Sequence, residues 1–228
     1  MTTQPFRIGF LVFPEITQLD MTGPWELLIK LPGAEVMLVW KTRDPVRAGG
    51  GMMLTPDIAY AECPRLDLVC VPGGNGTNAL LNDEETLSFL RRQAAGATYV
   101  TSVCTGALVL GAAGLLKGKR ATTHWMSMDM LPAFGAIPVR ERVVIDGNVI
   151  TGGGVTAGID FGLRVIAEIA GEEVARIIQL GVEYNPQPPF DAGSPERAGP
   201  ALTQRTREMA AARQAERAEA VNRAAARL

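Results

Sequence analysis

Several short runs of this sequence are mostly apolar. A strand with one solvent-exposed face would instead alternate apolar and polar residues. The clearest are Phe6–Val12, Ala34–Trp40, Leu66–Val71 and Tyr99–Val103. Strands of this kind are covered on both faces, which is typical of a parallel sheet between two layers of helices. The sequence therefore predicts an α/β fold with a largely parallel sheet sandwiched by helices.

Helical spacing of apolar residues separates these runs and continues after them. The predicted helices are Gly23–Leu31, Asp83–Ala95, Thr156–Ala170 and Glu172–Tyr184. Arg142–Thr151 carries Asp-Gly between two β-rich arms, which predicts a hairpin.

The 228 residues fit one domain with an appendage. We assign residues 1–185 to the α/β domain, 186–200 to a Pro-rich connector and 201–228 to a helical tail. Five prolines in the sixteen residues from Asn185 to Pro200 disfavour regular structure there. We expect the tail to pack on its own domain or on a second subunit, because it is too short for a DNA-binding module.

Charge and the amino-terminal residues bear on partners and location. Lys and Arg total 22 against 24 for Asp and Glu, so no net field favours nucleic acid or an anionic membrane. The start lacks the pattern of a secretory signal, and no later stretch approaches the roughly 18 apolar residues of a membrane span. We therefore expect a cytoplasmic protein that binds neither nucleic acid nor membrane, with its three cysteines as thiols.

Cys104 lies where strand-like sequence becomes helical, with Ser102 two residues before it and Gly106 two residues after. This small-x-nucleophile-x-Gly pattern is that of a nucleophile elbow, a tight turn that projects the central side chain from the sheet edge. The adjacent helix N-terminus would favour the thiolate. We predict that Cys104 is a nucleophile, and we interpret Cys63 and Cys70 as structural thiols.

Two residues are candidate proton-transfer partners for that thiol. His124 is the single histidine of the chain, so a Cys-His dyad would need it, although a lone histidine is more often structural. Asp20 follows the first predicted strand and precedes a helix, where an aspartate more often serves as an N-cap. The residues alone leave both roles open.

Glycine-rich stretches raise the question of a cofactor. Gly74 and Gly76 form part of a weak dinucleotide fingerprint, which lacks the acidic residue expected about 20 positions later. We favour another role, in which the backbone at Gly73 and Gly74 approaches substrate and stabilises negative charge. Thr151–Gly158 lacks the lysine of a phosphate loop, and the cysteines lack zinc-ligand spacing. We predict neither a cofactor nor a metal.

Four motifs together resemble the PfpI-like superfamily of small cytoplasmic α/β proteins. They are FPEITQLDMTGPWELL, LDLVCVPGGNG, VCTGALVLGAAGLLKGKRATTHW and DGNVITGGGVTAGIDF, within residues 6–185. The resemblance implies the class I glutamine amidotransferase-like fold, which is flavodoxin-like. Within the superfamily the motifs are most similar to those of isocyanide hydratases. The peptidase-like and chaperone-like branches have histidine where this chain has Thr105, and the oxidative-stress branch has glutamate at Asp20.

This resemblance implies cofactor-free hydration of an isonitrile to an N-substituted formamide by a homodimer. It implies that Cys104 is the nucleophile, which forms a thioimidate, and that Asp20 is the general acid and base. Thr105 would contact the site, and Gly74, with Gly73, would act as an oxyanion-type donor to substrate. His124 would lie near the cysteine and substrate.

Two alternative functions stay open at this point. One is a different small-molecule activity of the superfamily, glyoxalase-like or hydrolytic, against which the missing histidine after Cys104 counts. The other is a ligand-sensing or stress-response role, because similar domains form the sensing part of AraC-type regulators. Those regulators continue for roughly a hundred residues of helix-turn-helix sequence, and we expect a stand-alone enzyme because this chain ends after its tail.

Overall fold

Eleven strands occur in the computed structural model, which describes residues 4–228. In chain order they are β1 (Phe6–Leu11), β2 (Ala34–Trp40), β3 (Val46–Arg47), β4 (Met53–Leu54), β5 (Ile58–Ala59), β6 (Leu68–Val71), β7 (Tyr99–Val103), β8 (Arg120–Ala121), β9 (Ile137–Pro138), β10 (Val143–Asp146) and β11 (Val149–Gly152). Seven of them form one sheet in the order β10-β11-β7-β6-β1-β2-β5. Only β10 is antiparallel to its neighbour in this sheet. The predicted α/β class with a largely parallel sheet is confirmed.

Seven helices surround the sheet. They are α1 (Gln18–Leu28), α2 (Thr77–Leu80), α3 (Glu84–Ala94), α4 (Gly106–Ala112), α5 (Ala157–Ala170), α6 (Glu172–Gly181) and α7 (Pro195–Ala225), with 3₁₀ segments at Gly49–Gly51 and Trp125–Phe134. β2 and β7 have the bounds that the apolar runs predict. Of the helices described in residues 4–228, none is long and apolar enough to cross a membrane.

Helix α1 corrects one prediction that matters for the site. The sequence predicts a helix over Gly23–Leu31, but α1 begins at Gln18 and contains Pro24. Pro24 cannot donate a hydrogen bond to the carbonyl of Asp20, four residues earlier, and its ring crowds that carbonyl, yet the helix runs through it. Asp20 therefore lies in the first turn of α1, not in the loop before the helix.

The core lies on both faces of the sheet. Phe10 on β1 and Phe161 on α5 are among its largest fully buried side chains. On one face α5 packs directly against α1, because Gly158 and Gly162 leave no side chain between the helices. A Cβ at Gly162 would lie 2.8 Å from Cδ1 of Leu27. The glycines after β11 thus bring α1 and α5 together at the carboxyl ends of the strands.

Helix α7 confirms the predicted C-terminal helix and begins earlier than the predicted tail. Ser194 Oγ accepts a hydrogen bond from the backbone N–H of Arg197 at 3.3 Å, and Pro195 occupies the first turn, so part of the connector is helical. The helix breaks at Gly199, where φ is 77° and ψ is 169°. Its buried residues pack it on its own domain, and Asn82 Nδ2 donates to the carbonyl of Ala220 at 3.1 Å.

Candidate active site

Cys104 occupies the turn between β7 and α4 that the elbow pattern predicts. Its φ is 57°, unusual for a residue with a side chain. Its N–H donates to the carbonyls of Gly152 and Gly153 at 3.0 and 2.9 Å. A Cβ at Gly106 would lie 1.8 Å from the carbonyl oxygen of Val71, so the position needs glycine. These contacts hold the left-handed backbone that carries the thiol.

The carboxyl group of Asp20 is fully buried beside that thiol. Its Oδ2 accepts a hydrogen bond from the Gly73 N–H at 2.9 Å. Its Oδ1 is buried and has no hydrogen-bond partner among residues 4–228. The thiol of Cys104 interacts with the carboxyl group. Burial raises the pKa of Asp20 to about 7, although the thiol of Cys104 and the amide of Gly73 lower it. The group therefore exchanges protons near neutral pH.

The thiol of Cys104 is nearly buried, with 5% of the residue exposed. Burial, followed by the negative charge of Asp20, raises the pKa of Cys104 to about 12. The backbone N–H groups of Val155 and Thr105 donate to the sulfur and lower that pKa. The expectation that a helix N-terminus alone favours the thiolate is therefore wrong. An ionised Asp20 is placed to accept the thiol proton, and because the two groups interact, we expect them to titrate as a pair.

The amides of Gly73 and Gly74 are engaged within the protein. Gly73 donates to Asp20, and Gly74 donates to Thr105 Oγ1 at 3.0 Å. A Cβ at Gly73 would lie 2.6 Å from the Thr105 nitrogen and 2.7 Å from Asp20 Oδ2, so a larger residue would separate these groups. Both glycines thus position the acid and Thr105, and their contact with substrate stays a prediction. The amides that face the sulfur belong to Val155 and Thr105.

Thr105 is buried next to the thiol, with 2% of the residue exposed. Besides the bond from Gly74, its Oγ1 accepts from Thr77 Oγ1 at 3.2 Å. The Thr105 hydroxyl itself points toward the Gly74 carbonyl at 3.3 Å. These bonds tie the start of α4 to the loop after β6. We call Asp20, Gly73, Gly74, Cys104 and Thr105 the sheet-edge cluster.

His124 lines the same cavity as Cys104 and is uncharged at neutral pH. Its Nδ1 accepts a hydrogen bond from the Met126 N–H at 3.3 Å, which assigns the ring proton to Nε2. Burial lowers the pKa of His124 to about 4, and the charges of Arg217 and Arg213 act in the same direction. His124 thus lines the site with Cys104, as predicted, in a form suited to donating a hydrogen bond.

A cavity of about 220 Å³ opens above Cys104. The body of the domain contributes Cys104, Thr105, His124 and Val155 to its wall, together with Thr17, Gly74 and Asn75. The opposite wall consists of Arg213, Gln214 and Arg217, which we call the α7 face. Asp20 does not line the cavity and contacts the thiol from behind.

Sequence reasoning missed Val155 and the whole α7 face. A signal for Arg217 is present in the tail. The buried positions of α7 include Ala210, Ala220, Val221 and Ala224, and Arg217 falls in the same helical stripe, seven residues after Ala210. An arginine within the apolar stripe of a helix indicates a buried cation. Val155 gives no such signal, because its φ of 35° is visible only in the structure.

A second cavity of about 450 Å³ adjoins the first and shares His124 and Val155 with it. Its wall also includes the 3₁₀ residue Trp125 and the start of α7 at Pro195. Residues 4–228 contain no group of three or more His, Cys, Asp or Glu side chains placed to hold a metal ion.

Residues 6–168 match the DJ-1/PfpI family. The chain is 55% identical over 222 residues to an isonitrile hydratase of Pseudomonas putida, with 97% of both chains covered. It is 32% identical over 183 residues to the transcriptional regulator GbdR of Pseudomonas aeruginosa, covering 76% of this chain but only 49% of the regulator. A crystal structure of a ThiJ/PfpI family protein from Pseudomonas syringae superposes with a TM-score of 0.93 at 44% identity, covering 95% of this chain and 90% of that one. This chain belongs to the DJ-1/PfpI family.

Proposed function

We propose that this protein is an isonitrile hydratase, a hydro-lyase that converts R–N≡C and water to the formamide R–NH–CHO. The observation that carries the proposal is the 55% identity, over 97% of both chains, to the isonitrile hydratase of Pseudomonas putida. The buried pair of Asp20 and Cys104 supports it, since the reaction needs a nucleophile and a group that exchanges protons with it.

The first half of the reaction forms a covalent intermediate. Asp20, ionised, takes the proton of the Cys104 thiol, and the thiolate sulfur attacks the terminal carbon of the isonitrile. Asp20 then gives the proton to that carbon, which yields the thioimidate R–N=CH–S–Cys104. A pKa of about 7 suits Asp20 to both steps, because each form of the carboxyl is accessible at neutral pH.

The second half consumes the water. Asp20 takes a proton from water as the water oxygen adds to the thioimidate carbon. The same proton then passes from Asp20 to the thioimidate nitrogen. The resulting R–NH–CH(OH)–S–Cys104 collapses when the C–S bond breaks, with the hydroxyl proton returning to sulfur through Asp20. The Val155 and Thr105 amides stabilise negative charge on sulfur in both halves. The protons and electrons balance without any cofactor.

A homodimer in the cytoplasm is part of the proposal. A reducing compartment would keep Cys104 as the thiol that the reaction requires. Sedimentation at micromolar concentration should give about twice the 24.3 kDa of one chain. A monomer under those conditions would contradict the assembly without touching the chemistry.

The test is formamide production from a simple aryl isonitrile with no cofactor added. The wild type should turn over, and Cys104→Ala should show no turnover above the buffer rate because the covalent path is lost. Cys63→Ala is the matched control, since Cys63 is a half-buried thiol outside the cavity and its removal should leave turnover intact.

Circular dichroism of Cys104→Ala establishes that its fold is intact before the rates are compared. Turnover by that variant would remove the nucleophile assignment. No turnover by a well-folded wild type would move the function toward glyoxalase-like chemistry or ligand sensing.

A further inference from the structure

The α7 face places a buried cation over the thiol. Arg217 is 4% exposed and lines the same cavity as Cys104. Within residues 4–228 it has no carboxylate partner. Its Nε donates to Asn78 Oδ1 at 3.1 Å and its Nη1 to Ser127 Oγ at 3.4 Å. A guanidinium taken out of water without a counter-charge is costly, so neutral acceptors alone do not account for its position.

The hydrogen bonds of Arg217 leave one side of its guanidinium available. The Nη2 group makes no hydrogen bond within the described part of the chain. It is also not one of the side-chain atoms that are both shut off from solvent and without a hydrogen-bond partner. Bonds to Nε and Nη1 fix the plane of the group, so Nη2 is held in one direction on a side chain that lines the cavity. A fixed guanidinium with free N–H donors matches the geometry of a carboxylate.

Arg213 adds a second positive charge one helical turn earlier. It lines the same cavity, is exposed, and forms no ion pair within residues 4–228. Both arginines lower the pKa of His124, which places their charges on the His124 side of the cavity. No aspartate or glutamate lies in the cavity wall, and Asp20 behind the sulfur shares its proton with Cys104.

The adjoining cavity differs from the cavity above Cys104 in the charges of its wall. Its wall carries Arg140 and Arg142 together with Glu141 and Glu196, and Arg142 pairs with Asp160. Positive and negative groups are thus mixed there, whereas the cavity above Cys104 holds cations alone. At about 220 Å³ that cavity is smaller than the ~300–1,000 Å³ usual for small-molecule sites, so its ligand is compact.

We propose that the substrate is a small isonitrile bearing a carboxylate, which Arg217 and Arg213 bind while the isonitrile carbon faces Cys104. The inference rests on the proposed hydratase function and names its substrate class. Arg217 supplies the rigid hydrogen-bond donor, and Arg213 supplies charge at the cavity mouth. The carboxylate takes the place of the missing counter-ion, so binding offsets the cost of the buried cation.

The experiment compares 3-isocyanopropanoate with isopentyl isocyanide, a neutral molecule of the same shape. The quantity measured is the ratio of kcat/KM for the carboxylate to kcat/KM for the neutral isonitrile. The wild-type ratio should exceed one by roughly tenfold or more, and Arg217→Gln should lower it by about 10- to 100-fold. Arg213→Gln should lower it less, because water and salt screen an exposed charge.

Arg205→Gln is the control, because Arg205 is exposed on the same helix and lies outside the cavity; its ratio should equal that of the wild type. An Arg217 that only anchored α7, or only stabilised the Cys104 thiolate, would change both substrates equally and leave the ratio unaltered. That result, or a wild-type ratio near one, would overturn the proposal while hydration stands.

Two further outcomes complete the test. Arg213→Gln decides it if Arg217→Gln does not fold, since an exposed arginine without an ion pair can be replaced without structural loss. If the wild type hydrates neither compound but turns over the aryl isonitrile, this inference alone fails; if it hydrates none of the three, the proposed function fails as well.

Discussion

The sheet-edge cluster and the α7 face meet at one cavity but differ in how their polar groups are satisfied. The cluster lies within the residues that match the DJ-1/PfpI family, and its groups bond mainly to each other, as Gly73 does to Asp20 and Gly74 to Thr105. The α7 face lies after those residues and brings two arginines that have no carboxylate partner within residues 4–228. This difference supports the proposals that the cluster carries the chemical step and that the α7 face binds a ligand.

The two regions also differ in charge at neutral pH. With pKa values of about 7 for Asp20 and about 12 for Cys104, the pair holds two protons below pH 7 and one above it, so the cluster changes from neutral to singly charged near neutral pH. The arginines of the α7 face stay charged and lower the pKa of His124. A change in the cluster should therefore affect every isonitrile, whereas a change in the α7 face should affect substrates according to their charge.

The largest effect should follow from Asp20→Asn, which removes the proton carrier of the cluster and keeps an acceptor for Gly73. We expect kcat/KM to fall by about 10²- to 10⁴-fold for charged and neutral isonitriles alike, since general acid–base catalysis contributes that much. His124→Ala should cost less than about tenfold, because an imidazole with a pKa of about 4 is not an acid at neutral pH. Steady-state rates for the two substrates measure both effects.

The reverse ranking of these variants would make His124 the acid and base and remove Asp20 from the chemistry. If Asp20→Asn lowered kcat/KM only for the carboxylate substrate, the cluster would contribute to substrate selectivity. That result would contradict the difference drawn between the cluster and the α7 face. The pH dependence of kcat/KM offers an independent check. A limb near pH 7 in the wild type should persist in His124→Ala and disappear in Asp20→Asn.

The residues of the sheet-edge cluster are easier to predict from the sequence than those of the α7 face, for a physical reason. A strand-to-helix turn requires small residues at fixed positions, so Ser102 and Gly106 identify Cys104 through the local pattern alone. The neighbours of Cys104 across the sheet follow from parallel strand order, which apolar runs predict. The same reasoning finds Asp20 as a candidate but misses its place inside α1, because Gly23 and Pro24 imitate a helix start.

The remaining features depend on contacts between distant segments. Arg217 donates a hydrogen bond to Asn78, 139 positions away in the sequence, and no local sequence pattern predicts that pairing. The direction of the Cys104 pKa also escapes sequence reasoning, since burial depends on how α5 and α7 close over the turn. Local pattern predicts backbone turns, whereas desolvation and long-range charge depend on how the helices come together.

A smaller effect concerns the free energy of unfolding, and it tests whether the carboxyl of Asp20 titrates near neutral pH. Burial raises the pKa of Asp20 from 3.8 to about 7, so between those values the folded chain holds a proton that the unfolded chain has lost. Stability therefore falls as pH rises through that interval. At about 1.4 kcal/mol per pKa unit, the cost above pH 7 is at most about 4 kcal/mol. Asp20→Asn removes this cost and should gain stability over the wild type as pH rises.

Thermal unfolding at pH 4.5 and pH 8 measures the difference. At pH 8 the melting temperature of Asp20→Asn should exceed that of the wild type by several degrees more than at pH 4.5, at about 2–4 °C per kcal/mol for a chain of this size. Asp67→Asn is the control, because the half-buried Asp67 accepts the Arg7 N–H at 2.8 Å much as Asp20 accepts that of Gly73. A difference between Asp20→Asn and wild type that does not change with pH would mean that Asp20 ionises freely. The cluster would then hold a permanent carboxylate behind the Cys104 thiol, and its charge would no longer change near neutral pH.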